Sequence, residues 1–241
     1  MHSKTHYQKF AEIYDEIMGV KFYNSYAEFI FRILHKFNIK PAKILDVACG
    51  TGRLAKLISL RGYLAEGIDS SSEMINIAKK RGIKCYKKNI INFRLPQKYD
   101  LILCTYDSLN YITNLRDLKK CFSSIKKYLQ PKGVFIFDMN SDFKINKLIA
   151  PSVRYYKKKN TELIWVNSKK PNTWIAEMIL FVKKKAGYQR YFERHIEKAY
   201  RLKPIKKLLS QLDFKTLGIY SDFKFSKVKN NSPRWFFVVK K

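Results

Sequence analysis

Residues 43–55, "KILDVACGTGRLA", run from a short apolar strand through a glycine-spaced turn into a helix. Asp46, Ala48, Gly50 and Gly52 follow one another at intervals of two. Glycines at 50 and 52 let the backbone approach a ligand that a β-carbon would block. The helix that follows offers free backbone N–H groups at its N-terminus. Such a turn serves a dinucleotide, a phosphate or a nucleoside, or is a plain tight turn. The next acidic residue narrows the choice. Asp69 ends a second apolar strand 17 residues past Gly52, where a carboxylate can accept both hydroxyls of a ribose. The glycine spacing departs from G-x-G-x-x-G, and no P-loop Lys-Ser/Thr pair follows. Neither a pyrophosphate nor a triphosphate is indicated. A nucleoside without phosphate is.

Outward from the turn, the chain alternates. "YQKFAEIYDEIMG" carries Phe10, Ile13, Tyr14 and Ile17 at helical spacing and ends at Gly19, and "YAEFIFRILHKF" is a second helix. Strands are expected at "AKILDVA", "YLAEGID", "IKCYKK", "YDLILCT" and "GVFIFDM", and helices over 53–61, "SSEMINIAKKR" and 114–129. Ser70, Ser71 or Ser72 caps the helix that starts near Glu73. The alternation implies a parallel sheet covered on both faces. Past residue 150, segments near 152–158, 161–168, 173–184 and 188–200 are rich in aromatic and β-branched residues and read as antiparallel strands. Pro204 opens a short helix, and "FKTLGIYSDF" and "RWFFVVKK" close the chain as strands that complete the earlier sheet.

Composition excludes some classes. The 241 residues suffice for one α/β domain with an insertion. No apolar run approaches a membrane span of roughly 18 residues, and "MHSKTHYQKF" holds no signal-peptide core. Cys49, Cys85, Cys104 and Cys121 are scattered, which suits reduced core thiols in a cytoplasmic protein and gives neither a zinc site nor a disulfide framework. The charge stands out. Forty-nine Lys and Arg against 19 Asp and Glu give +30, and residues 151–241 hold 23 basic and 6 acidic side chains. Such a surface attracts phosphates, or it follows a Lys-, Asn- and Ile-rich composition without a function of its own.

"ILDVACGTG" resembles the first motif of the class I S-adenosylmethionine (SAM)-dependent methyltransferases. "GIDSSSEMINIAKK" resembles their second strand and following helix, "NIINFRLPQKYDLILCTYDSLNYI" the segment with the adenine contact and fourth strand, and "LQPKGVFIFDMNS" their fifth strand. The resemblance runs from about residue 7 to the end. Within the family, "YDSLNYI", "FDMNS" and the tail from Arg194 look closest to small-molecule methyltransferases with an inserted β-sheet, a group that includes nucleotide-sugar amine N-methyltransferases.

The resemblance implies an α/β fold, with a Rossmann-like seven-stranded sheet, helices on both faces and an antiparallel β insertion. Residues 1–150 and 203–241 would form the SAM domain, and 151–202 an acceptor lid or dimer contact. SAM would be the cofactor and S-adenosylhomocysteine (SAH) the product. By family role, Asp46 would order the turn beside the sulfonium or amino group, with Ala48, Gly50 and Gly52 against the ligand. Asp69 would hold the ribose, with Ser70 beside it. Met74 and Ile90 would pack on the adenine, whose amine Asn89 would meet where the family usually has Asp. Thr105 and Tyr106 would face the methionine part, and Tyr14 would cap the cofactor.

Acceptor-side candidates are Tyr106, Asp107, Asn110, Tyr111 and His195. Each has a plainer reading. Asp107 caps a helix with Ser108, Asn110 and Tyr111 shape a loop, and His195 is a solvated or satisfied strand histidine. His2, His6 and His35 carry no signal. Trp165, Trp174, Tyr155, Tyr156, Tyr188, Tyr191 and Phe192 form a small β-sheet core, an aromatic wall over the acceptor, or a dimer contact. The leading expectation is methyl transfer to an amine of a small molecule, such as a nucleotide-linked amino sugar whose phosphates meet the basic surface. An RNA methyltransferase, or a SAM-binding assembly module without catalysis, is the alternative. Against RNA, the adenine-N6 and cytosine-C5 motifs are missing and no RNA-binding module is appended. No metal is implied.

Overall fold

A computed structural model describes residue 7 and residues 9–241. His2, His6 and most of the opening segment therefore lie outside the described residues. Seven strands form one sheet: β1 (Lys43–Val47), β2 (Leu64–Asp69), β3 (Lys84–Lys87), β4 (Tyr99–Cys104), β5 (Leu129–Asn140), β10 (Lys215–Tyr220) and β11 (Arg234–Lys240). Their order is β10-β11-β5-β4-β1-β2-β3. β1 to β5 are parallel, whereas β11 and β10 run antiparallel at one edge.

The strand period of two divides the core between the faces. Ile44, Leu101, Leu103 and Ile136 pack against α2 (Val20–Lys36) and α3 (Arg53–Ser59) through Phe29, Ile30, Leu54 and Ile58. Their neighbours Leu45, Ile102, Phe135 and Phe137 pack against α5 (Leu115–Tyr128) and α6 (Leu202–Gln211). Helix α4 (Ser72–Lys80) is capped by Ser71, whose hydroxyl accepts the Met74 N–H at 3.1 Å. Pro204 falls in the first turn of α6, where its missing N–H leaves no bond unmade.

A second sheet, separate from the first, contains β6 (Ser152–Lys158), β7 (Thr161–Lys170), β8 (Thr173–Lys184) and β9 (Gly187–Lys198) in antiparallel order. Its inner face, with Leu163, Met178 and Leu180, buries Phe10 at the start of α1 (Ala11–Met18). Tyr156, Trp165 and Tyr191 pack at the edge of that cluster. Tyr155, Tyr188 and Phe192 are exposed on the sheet. All four cysteines are buried free thiols. Among the described residues, no helix is long and apolar enough to cross a membrane.

Candidate active site

β1 has β2 on one side and β4 on the other, so the chain reverses its winding direction beside β1. Open α/β sheets bind ligands at the carboxyl ends of such strands. A cavity of about 730 Å³ opens there, within the range of small-molecule sites.

The turn after β1 is built from left-handed residues. Ala48, Gly50 and Gly52 have φ of 60°, 53° and 71°. The two glycines differ in what they face. Gly50 lines the cavity. At Gly52 a Cβ would lie 2.9 Å from the Ala78 Cβ, so this glycine lets the turn approach α4 and does not line the cavity. Its expected contact with the ligand gives way to helix packing.

Asp69 clamps the turn. One carboxylate oxygen accepts the Gly50 N–H and the other the Ser71 N–H, each at 2.9 Å. Each oxygen keeps a lone pair, and the residue lines the cavity. Burial holds its carboxyl above the usual range despite these bonds. Asp46 is 2% exposed, and no described residue donates a hydrogen bond to its carboxylate. Burial first, and then the charge of Asp69, push its carboxyl up to about 8. The site thus holds an uncompensated acidic group, which a cationic ligand would satisfy.

Asp15 binds α1 down over the turn. It accepts from Thr51 Oγ1 at 2.7 Å, Arg81 at 2.6 Å and Tyr23 at 3.2 Å. This brings Tyr14 onto the cavity wall. Tyr7 is drawn in by its carbonyl, which accepts from Ser71 Oγ at 2.8 Å. Ser70, Met74, Asn89, Ile90 and Thr105 also line the cavity. Asn89 Oδ1 accepts the Ile91 N–H at 2.9 Å, so one of its lone pairs already holds the loop.

A second cavity, of about 70 Å³, shares Tyr7, Tyr14, Tyr106 and Tyr111 with the first. The second sheet supplies the rest of its wall: Trp165, Trp174, Ala176 and Met178, with His195 and Glu197 from β9. Asp107 lines it also. Tyr106 and Asp107 both have positive φ, 61° and 54°. Tyr106 packs among Phe22, Tyr23 and Tyr26, and its buried hydroxyl has no partner among the described residues.

Asp107 makes no helix-cap bond. Its oxygens accept from Arg234 at 3.1 Å and from Asn140 Nδ2 at 2.6 Å. Arg234 also donates to Tyr26 Oη at 2.8 Å and pairs with Asp138. Asn140 Nδ2 donates to Glu197 at 2.9 Å. Burial, and then the charge of Asp107, hold the Glu197 carboxyl well above its usual range. Arg234 holds Asp107 below its usual range against the effect of burial.

Of the expected acceptor residues, Tyr106, Asp107, Tyr111 and His195 meet at this small cavity, and Asn110 does not. Asn110 is fully buried and ties the 3-10 turn 108–111 to Asn140 and to the Lys198 carbonyl of β9. Glu193 and Glu197 escaped the sequence reading, although "ERHIE" places them with His195 at intervals of two. That spacing puts three titratable groups on one strand face, and all three are buried.

The chain is similar to known proteins. Residues 44–133 match the family model described as a methyltransferase domain. A crystal structure of a SAM-dependent methyltransferase from Clostridium acetobutylicum superposes with a TM-score of 0.83 at 30% identity, covering 97% of this chain and 98% of that one. The chain belongs to the SAM-dependent methyltransferases. This enzyme is also 29% identical to a putative methyltransferase of Geobacillus sp. (strain WCH70), over 98% of the chain and 99% of that protein. Over 53% of the chain it is 24% identical to the dTDP-3-amino-3,6-dideoxy-alpha-D-glucopyranose N,N-dimethyltransferase of Streptomyces fradiae, covering 52% of that protein.

SAM is the cofactor, and the larger cavity fits it. It offers a doubly anchored carboxylate at Asp69 for a ribose, an unpaired acidic group at Asp46 for a cation, and apolar Met74 and Ile90 for a base.

Proposed function

We propose that the enzyme methylates an amine nitrogen of a small molecule that enters the smaller cavity. One observation carries this reading: a cavity of about 70 Å³ lined by two carboxyl groups and several aromatic rings, with no Lys or Arg among the described residues of its wall. Carboxyl oxygens accept N–H bonds, and aromatic faces attract cations. A phosphate would meet no cationic partner there. The space suits the amine-bearing end of a molecule. The sugar-amine dimethyltransferase among the relatives supports the same class of acceptor.

In this reading Asp69 holds the ribose, Met74, Asn89 and Ile90 the adenine, and Asp46, Thr105 and Tyr14 the methionine end. When bound, SAM supplies an electrophilic methyl group on a sulfonium sulfur. The protein positions the acceptor and excludes water. Tyr7, Tyr14, Tyr106 and Tyr111 belong to both cavities, so the methyl-accepting atom belongs among them. Asp107 and Glu197 draw the ammonium in, and a cation beside them lets Glu197 ionise as well.

The test is SAM-dependent SAH release with a panel of primary and secondary amines, including amino sugars free and nucleotide-linked, against phenols, alcohols and transfer RNA. Amines should be methylated. Turnover confined to hydroxyl acceptors or RNA would refute the reading.

A further inference from the structure

The amine reading leaves a proton to be moved, because an amine that arrives as an ammonium has no lone pair to accept a methyl group. Resting on that reading, we propose that Tyr7, Tyr111 and His195 form a proton relay that deprotonates the acceptor, with Glu193 as the residue that positions the histidine. The groups are in line. Tyr7 Oη lies 2.6 Å from Tyr111 Oη, and Tyr111 Oη lies 3.1 Å from His195 Nδ1. His195 Nε2 lies 3.3 Å from Glu193 Oε2.

Glu193 sets the direction. Its other bonds come from the backbone N–H groups of Phe10 at 2.8 Å and Tyr7 at 3.0 Å. Burial alone would raise its carboxyl, but the His195 bond and these N–H groups bring it below the usual range. An ionised carboxylate only accepts, so Nε2 carries the imidazole hydrogen and Nδ1 the lone pair. Tyr111 therefore donates to Nδ1, and Tyr7 donates to Tyr111. Lone pairs of Tyr7 Oη are left for the acceptor, at a residue that lines both cavities.

The step balances. The ammonium proton passes to Tyr7 Oη, the Tyr7 proton to Tyr111 Oη, and the Tyr111 proton to His195 Nδ1. The electron pair of the broken N–H bond stays on nitrogen as the nucleophilic lone pair. The imidazolium rests against Glu193. Burial pushes the pKa of both phenols well above its usual value, so they pass protons without holding charge.

Other described residues also face His195. Asp107 and Glu197 line the same cavity but are bound to Arg234 and Asn140. Phe10 at the start of α1 and Ala176 opposite on β8 bring no titratable atom.

Two measurements test the relay. Nitrogen-15 NMR of histidine-labelled enzyme, with the His195 signal assigned by its loss in H195Q, should show protonated Nε2 and bare Nδ1 at pH 7.5. With ethylamine and SAM, H195Q and Y111F should lose at least tenfold in kcat at pH 7.5, keep SAM affinity within twofold, and recover towards wild type near pH 10, where far more of the amine is free than at pH 7.5. A variant that merely loosened the fold would not recover. Wild-type kcat and pH profile in both variants, or a protonated Nδ1, would overturn the relay. A wild-type enzyme inactive on every amine would instead overturn the amine reading itself.

Discussion

Replacing Asp46 with Asn should stabilise the ligand-free enzyme while weakening its hold on SAM, and both effects should depend on pH. The carboxyl of Asp46 ionises near 3.8 in an unperturbed setting and near 8 in the fold, chiefly through burial and secondly through Asp69. The sign follows from linkage. Below pH 3.8 the group is protonated in both states and contributes nothing. As pH rises towards 8, the unfolded chain ionises and the folded one resists, so stability falls by about 1.4 kcal/mol per pH unit. Between pH 5 and pH 8 the loss is at most about 4 kcal/mol. The amide of the D46N variant is close in shape to the carboxyl and carries no proton to lose. Urea unfolding of both proteins at pH 5 and pH 8 should show D46N the more stable at both, with its advantage larger at pH 8 by up to that amount. Calorimetry at pH 8 should show SAM bound tenfold or more weakly by D46N, because the cation has lost its partner. A D46N stability difference identical at the two pH values would refute the burial argument.

Asp69→Ala removes the clamp on Gly50 and Ser71 as well as the ribose acceptor, so SAM affinity should fall at least tenfold in calorimetry; unchanged affinity would sink the ribose assignment. Gly52→Ala places a Cβ against α4 at a φ of 71°, and chemical denaturation should show a loss of about 1–3 kcal/mol. Arg234→Met leaves Asp107 and Asp138 buried without their cation, which should cost about 3–5 kcal/mol and lower the melting temperature accordingly. Asn89→Asp keeps the bond to Ile91 and adds charge at the adenine end, so SAM should bind roughly threefold more tightly.

The seven-stranded sheet was legible because its strands are apolar runs between helical periods, and buried parallel strands leave that pattern. The cofactor end was legible for a related reason. Asp46 and Asp69 lie at the ends of two adjacent strands and Gly50 in the turn after the first, at places the pattern locates, and all three line one cavity. Gly52 is harder to read, because φ above zero serves helix packing as well as ligand approach, and one sequence does not say which. Arg234 was unreadable for a different reason. Its partner Asp107 lies 127 residues away, and only the β5–β11 pairing brings them together. Asn110 carries no periodic signal, since its amide joins the 3-10 turn to two strands distant in sequence. The charge balance of +30 says nothing of the smaller cavity, whose wall is acidic and aromatic.

Arg234 belongs to the last strand of the main sheet, while the carboxylates it neutralises, Asp107 and Asp138, sit at the ends of strands made long before. On the ribosome, β1 to β5 can assemble while that counter-charge has yet to be synthesised. The turn after β1 can therefore form early, whereas the smaller cavity gains its Arg234 counter-charge only when β11 pairs with β5. A nascent or prematurely terminated chain would hold Asp107 and Asp138 without their counter-charge.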